Sequence, residues 1–329
     1  MNLILTDDPT ETAHLLPPCC QGPTWSPQTS LAPHDRELSE ALGAGATPWG
    51  LQPVGLDGPA RFWSRLVAIT DAPGSQFDLL RDRLHECVGQ VGPLACVALG
   101  GRNFHGQRGR AWSAVRGNLH LSVAFSPELA AGRYGPSMTM LPAVAVIDAL
   151  AAVGATWPPA GIKWVNDILI DGRKVAGVIT ATRVMGDRLD LVVLGIGINV
   201  LVAPEVEPTP FVPGVCCLQG PVGAEPPDLG RVLWAVLDAL ALRIQALVTD
   251  GPPGLFAAYR ERSLVLGRRV RIWEEGATDG RPPAAWPPAT ASGRVLDLGP
   301  DLRLRIEGRD EPVDRGRLAF EEACREVGL

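Results

Sequence analysis

Residues 161–180, GIKWVNDILIDGRKVAGVIT, decide how the chain folds. Ile168 and Ile170 precede Asp171-Gly172, and Val175, Val178 and Ile179 follow it. Asp-Gly between two apolar runs predicts a β-hairpin, because both central residues of its type I′ turn need positive φ. The turn brings Lys163 and Lys174 into one small region. Lys174 falls on a strand of apolar character, where a cation either reaches water along its own stem or meets an anion. The hairpin alone leaves both readings open: an ordinary half-buried ribbon, or an anion site.

Upstream, Leu94 to Leu99 reads as a buried strand running into Gly100-Gly101-Arg102-Asn103-Phe104-His105-Gly106-Gln107-Arg108-Gly109-Arg110-Ala111-Trp112. Glycine and arginine at this density cannot pack a core. They suit a loop that lays backbone N–H groups and guanidinium forks around a phosphate, and equally a solvated connection. Gly117 to Phe125 alternates, with Leu119, Leu121, Val123 and Phe125 on one face. Ser137 to Val153 predicts a helix, its Met140, Val144 and Ile147 at helical spacing behind a Ser cap. Downstream, Leu189 to Leu194 predicts a strand ending in Gly195-Ile196-Gly197-Ile198-Asn199-Val200. Those glycines let the backbone approach a ligand, and Asn199 offers donors and an acceptor. They end a strand with no acidic residue at ribose distance, so they are not a dinucleotide fingerprint.

Lys163-Trp164-Val165-Asn166-Asp167 followed by Gly172-Arg173-Lys174-Val175-Ala176-Gly177 resembles the K-W-P-N-D … K-(x)-A-G signature of biotin protein ligases, with Val165 where proline is usual. Gly106, Gln107, Gly109, Arg110 and Trp112 fall on that family's loop consensus. Gly101, Phe104 and His105 stand where glutamine, glycine and arginine are usual. Gly117-Asn118-Leu119 and Gly195 to Val200 resemble the family's G-N-L-Y-x-S and G-x-G-I-N-V. Ser75-Gln76 is similar to its S-T-N at the first helix, which contacts the biotin ring; Ser75 also reads simply as an N-cap.

The resemblance runs from Phe62 to Phe320. It implies an α+β fold: a mixed central β-sheet flanked by helices over residues 60–262, class II synthetase-like, then a small C-terminal β-barrel over 263–329. It implies ATP and biotin as substrates with Mg²⁺, formation of biotinyl-5′-AMP, and transfer of biotin to a lysine in the carrier domain of a biotin-dependent carboxylase. Lys174, Arg110 and Asp167 take the catalytic places, although Asp167 also reads as a turn cap. Substrate or nucleotide binding falls to Ser75, Gln76, Gly106, Gln107, Arg108, Gly109, Trp112, Gly117, Asn118, Leu119, Lys163, Asn166, Gly177, Gly197 and Asn199, with no protein metal ligand. Two other readings stay open. A lipoate or octanoate ligase or transferase shares the fold, and the three loop departures suit a protein that binds the adenylate with little catalysis.

The 329 residues can hold one large and one small domain, and 46% hydrophobic residues suit a globular protein. A net charge of −6, without a basic run, argues against a nucleic-acid binder. The N-terminus lacks the basic and long apolar regions of a secretory signal, and no apolar run reaches a membrane span, so a cytoplasmic protein is expected, monomer or homodimer. Seven cysteines without a C-x-x-C pair read as reduced thiols. Residues 1–59, broken by prolines, predict an irregular extension with one short helix at His34 to Leu42 and no helix-turn-helix. Pro204 to Gly223 predicts a loop, Leu233 to Leu247 a helix stripe, and Val270 onward short strands with a loose insert at Gly276 to Thr290.

Overall fold

The computed structural model describes residues 1–17, 20, 25–53, 57–154, 159–218 and 227–326. Among them, eleven strands form one mixed sheet. Its order is β2 (Ser26–Pro27), β3 (Trp49–Leu51), β1 (Leu3–Thr6), β4 (Arg65–Ile69), β5 (Leu94–Ala98), β6 (Leu119–Phe125), β11 (Arg188–Ile198), β10 (Arg173–Met185), β9 (Asp167–Ile170) and β8 (Gly161–Lys163), with β7 (Leu129–Ala130) beside β11. β4 pairs in parallel with both β1 and β5, and the other pairings are antiparallel.

The eight α-helices of the described residues are α1 (Pro9–Thr12), α2 (Pro33–Leu42), α3 (Gln76–Asp82), α4 (His85–Val91), α5 (Ala131–Ala152), α6 (Leu229–Asp250), α7 (Pro252–Glu261) and α8 (Glu321–Glu326). Alternation along the central strands feeds two cores. Leu66 and Ala68 of β4 join the cluster with α5 and α6, while Val67 and Ile69 join the cluster with α2, α3 and α4. Strands covered on both faces read as unbroken apolar runs, which is why β4 and β5 carry hardly a polar residue. At 22 residues each, α5 and α6 are long and apolar enough to cross a membrane by length and composition. That differs from the expectation that no run reaches a span; here the two helices pack on each other and on the sheet.

The described part of residues 1–59 is more ordered than an irregular extension with one helix: α2 lies where that helix was expected, and α1, β1, β2 and β3 join it. Leu3, Ile4 and Leu5 are buried, and β1 pairs Leu3 to Thr6 with Arg65 to Ala68. Asp7 accepts from the Thr70 amide at 3.1 Å and its hydroxyl at 2.6 Å, and Leu15 O accepts from the Trp234 indole at 2.7 Å. Pro9 and Pro33 open α1 and α2, where a missing N–H costs nothing, and Pro27 ends β2 at the edge of the sheet. α5 begins six residues before Ser137, which is buried inside it, because Ala131 N–H donates to Asp187 O at 2.7 Å, a tertiary anchor. The C-terminal strands form a four-stranded antiparallel sheet, β14 (Leu304–Ile306), β13 (Ala291–Leu298), β12 (Arg269–Trp273) and β15 (Arg317–Phe320), rather than a closed barrel. The insert between β12 and β13 is folded against the protein: Trp286 stacks on Phe211 at 5.0 Å and Thr278 is buried. Cys19 and the end of the Pro204–Gly223 loop lie outside the described residues; Cys87, Cys96, Cys216, Cys217 and Cys324 form no disulfide.

Candidate active site

A cavity of about 440 Å³ opens between the β9–β10 hairpin, the 100–112 loop and the C-terminal sheet. Its floor follows from the hairpin. Asp171 and Gly172 take φ of 50° and 72°, the turn the sequence requires. Lys174 faces Leu169 and Ala176 faces Ile168, so Val175 is an extra residue, a β-bulge. Asp167 and Leu169 share one face of β9, and Asp167 is opposite Gly177. The bulge therefore puts Lys174 and Gly177 on the same face, although three positions apart they would otherwise point oppositely. Lys174 Nζ lies 2.7 Å from Asp167 Oδ1, and a Cβ on Gly177 would sit 3.1 Å from that ammonium.

Gly177 pairs with Gly197, which pairs in turn with His120. A Cβ on Gly197 would lie 2.3 Å from the Trp112 ring, so glycine is what lets that indole lie flat on the sheet. Trp112 Nε1 donates to His120 Nδ1 at 3.2 Å, which leaves His120 Nε2 to donate to Val115 O at 3.1 Å. Burial pushes the His120 pKa down to about 4, against the pull of the Val115 carbonyl, consistent with this neutral tautomer. Lys174 Nζ stands 5.7 Å from the Trp112 ring centroid.

Lys163 is buried and donates to Phe211 O at 2.5 Å. Burial lowers its pKa to about 8; Asp167 opposes that fall while Lys174, Arg317 and Arg110 reinforce it. Burial pushes the Asp167 carboxyl up, but the charges of Lys174 and Lys163 and the hydrogen bond from Lys174 outweigh it, and the carboxyl stays below its ordinary range.

The 100–112 loop is a small hairpin. Trp112 N–H donates to Phe104 O at 3.0 Å and Gly106 N–H to Arg110 O at 2.7 Å, around a turn in which Arg108 takes φ of 60°. Arg110 Nη1 reaches Glu275 Oε2 at 3.6 Å. The three departures form one unit: a Cβ on Gly101 would meet the Phe104 ring at 2.4 Å and Ala72 O at 2.8 Å. His105, standing where arginine is usual, is held by the Gly106 carbonyl and by Asp78, which raise its pKa against burial and Arg81.

Ser75, Gly106, Gln107, Arg108, Arg110 and Trp112 line the cavity from one side. Lys163, Asn166, Asp167, Lys174, Gly177, Gly197 and Asn199 line it from the other. Ser75 is also the cap of α3, accepting from Asp78 N–H at 3.3 Å. Five candidates do not line it. Gly109 is the turn of the loop, at φ 72°. Gln76 is wholly buried with neither amide atom hydrogen-bonded. Gly117, Asn118 and Leu119 brace the site from behind: Asn118 Oδ1 accepts from Val200 and Val202 N–H at 3.0 and 3.1 Å, and Leu119 is core. Asn199 and Asn166 use their amides on Cys216 O and Val178 O, at 3.0 and 2.6 Å, so each also fixes backbone.

Sequence reasoning missed His120, Phe211, Glu275 and Arg317. The last three arrive from loops and from the C-terminal sheet; Arg317 lies 3.8 Å from the Phe211 ring centroid and bonds Asp279 at 2.9 Å. Only His120, a polar residue within an alternating strand, carried a local signal. Glu207, Glu275 and Asp314 at the cavity rim are oxygen donors of the kind Mg²⁺ takes, whereas Asp167 is engaged by Lys174. His34, Glu37 and Cys87 approach within 4.8 Å of one another outside the cavity. There the Cys87 thiol donates to Glu37 Oε2 at 3.2 Å, and burial with that carboxylate pushes its pKa up to about 12, an ordinary thiol–carboxylate contact.

The sequence pattern of the biotin/lipoate A/B protein ligase family matches residues 93–199, the stretch that holds the arginine–glycine loop, the hairpin and the glycine floor. The biotin–[acetyl-CoA-carboxylase] ligase of Mycobacterium tuberculosis is 32% identical over 264 residues, an alignment covering 79% of this chain and 91% of that protein. The chain belongs to the biotin protein ligase family. It is also similar to a bifunctional ligase/repressor of Bacillus subtilis, 29% identical over 167 residues and half of each chain. The solved biotin protein ligase of Aquifex aeolicus in complex with biotin and ATP shares the fold, with a TM-score of 0.55 at 19% identity, over 78% of this chain and 98% of that one.

Proposed function

We propose that this chain condenses biotin with ATP to biotinyl-5′-AMP and passes the biotinyl group to one lysine in the carrier domain of a biotin-dependent carboxylase, in the cytoplasm. The observation that carries this reading is Lys174, held at 2.7 Å by Asp167 over paired glycines inside the cavity. A biotin carboxylate oxygen must attack the α-phosphorus while pyrophosphate leaves, so two anions have to be compressed together. A cation fixed where they meet favours that arrangement more than the separated reactants. Arg110 and Arg108 on the loop add charge over the phosphates, and the loop shields the mixed anhydride from water. Mg²⁺ would neutralise charge on the departing pyrophosphate, with Glu207, Glu275 and Asp314 of the rim as the oxygen donors that could hold it.

In the second step the carrier amine attacks the acyl carbonyl and AMP leaves. Asp167, ionised and below the ordinary carboxylate range, is suited to orient the incoming amine by accepting its hydrogen, rather than to hold a proton. Lys163 serves differently, since its bond to Phe211 O anchors the segment that closes the cavity toward the C-terminal sheet. Pyrophosphate release from ATP by the purified protein with biotin, lipoate or octanoate, followed by label transfer to a carrier domain, tests the reading. Release with octanoate or lipoate and none with biotin reassigns the substrate. Tight retention of biotinyl-AMP without turnover makes the protein a binder.

A further inference from the structure

His105 Nδ1 lies 2.9 Å from the Gly106 carbonyl oxygen and Nε2 lies 2.8 Å from Asp78 Oδ2. Both neighbours accept only, and a neutral imidazole carries a single N–H, so the two contacts are satisfied together only by the doubly protonated ring. The charges facing it are Asp78 and Arg81; Arg81 in turn forms ion pairs with Asp78 Oδ1 at 3.1 Å and Asp82 Oδ2 at 2.5 Å. One side of this contact is stationary: α3 is capped by Ser75 and buries Phe77 and Leu80. The other side is Gly106, where the turn carrying Gln107, Arg108 and Arg110 over the cavity begins. Phe104, seated in the space left by Gly101, orders the residue just before His105.

We propose that His105 and Asp78 form a titrating clamp that fixes the Gly106–Arg110 turn over the cavity, which makes both of them positioning residues for adenylate formation. The part played in that reaction rests on the ligase reading; the clamp itself does not. When His105 loses its proton, one of its two hydrogen bonds must be given up. Its pKa is raised in the folded protein, chiefly by the Gly106 carbonyl with Asp78 adding and burial and Arg81 opposing. The clamp is therefore closed below that raised pKa and opens as pH climbs through it.

Trypsin cutting after Arg108 and Arg110 in the ligand-free protein reads the clamp directly. At each pH the rate for Asp78→Asn is divided by that for the unaltered protein, which cancels the protease's own pH response. At pH 6 the ratio is expected to be roughly tenfold, as for loss of a hydrogen bond to a charged group, falling toward one by pH 9. His105→Arg, which keeps the charge at every pH, should stay protected throughout, and His105→Gln should be cut rapidly at both ends of the range. AMP released per pyrophosphate, without a carrier, should rise with pH in the unaltered protein and stay level in His105→Arg. A ratio of one at pH 6, or a ratio independent of pH, overturns the clamp. Clamp-like cutting in a protein that releases no pyrophosphate with biotin overturns the ligase reading and leaves the clamp standing.

Discussion

Lys174 and Arg110 face the same cavity, one from a two-stranded hairpin and the other from the loop that crosses above it. Lys174 is about one-fifth exposed, bonded to Asp167, and rests over Gly177, whose missing Cβ leaves room for it. Arg110 is more exposed and meets Glu275 only at 3.6 Å, on a loop closed by two backbone hydrogen bonds. A charge that must be right at the moment of bond formation is built on the sheet, and charges that must let substrates in and out are built on the loop. Pre-organisation and access are thereby separated in space.

The most drastic way to break this contrast is to remove residues 1–59. That deletes β1 and uncovers Leu66 and Val67 on β4. Burying Leu3, Ile4 and Leu5 contributes about 1.5–3 kcal/mol each, which is comparable in sum to the marginal stability of a whole domain, about 5–15 kcal/mol. The truncated chain is expected to lose its cooperative thermal transition by circular dichroism. A truncated protein that melts cooperatively and still releases pyrophosphate would show that the catalytic floor stands without these strands.

Lys174→Met comes next. It keeps the bulk of the side chain and removes the fixed charge, for an expected cost of about 3–4 kcal/mol of barrier, or roughly a hundred- to a thousandfold in single-turnover adenylate formation. An unchanged rate in a folded variant would reduce Lys174 to a surface cation. Gly197→Ala probes where floor and loop touch. Its methyl group meets the Trp112 ring, an overpacking worth about 1–3 kcal/mol, so kcat/KM should fall roughly tenfold. Undiminished kcat/KM would mean that the indole is not seated on the sheet during turnover.

The smallest effect concerns Lys163. Its folded pKa, about 8, lies below that of an unfolded lysine, so above pH 8 the unfolded chain binds the extra proton and stability rises with pH. The Tm difference from Lys163→Met should shift in favour of the unaltered protein between pH 7 and 9.5. A constant difference would place the proton elsewhere.

The hairpin was legible because everything that defines it is local: an Asp-Gly turn between alternating apolar residues. The order of the glycine-bearing motifs was legible for the same reason. β1 was not, since four residues carry little pattern and their partner is β4, some sixty positions away. Asn118 and Asn199 looked like ligand groups because an amide serves a ligand or a backbone equally well, and only the fold shows that Val200, Val202 and Cys216 claim them. The aromatic contacts of Phe211 with Trp273 and Trp286 join three segments distant in sequence, so nothing local announced them.

Strand residues obey a parity rule, odd against even, and Val175 changes the count. Upstream of it, even positions of β10 face the cavity; downstream, odd ones do. Lys174 and Gly177 are thus separated by an odd interval that a regular strand would forbid for two residues on one face. Deleting Val175 would shorten that interval to an even one, which plain alternation accepts, and both residues would still face the cavity. What the deletion would remove is the Val175 carbonyl, which accepts from Asn199 N–H at 2.8 Å. The surplus residue therefore acts as a spacer with its own bond, tying the lysine strand to the glycine-bearing end of its neighbour, and the phase change is the mark it leaves in the sequence.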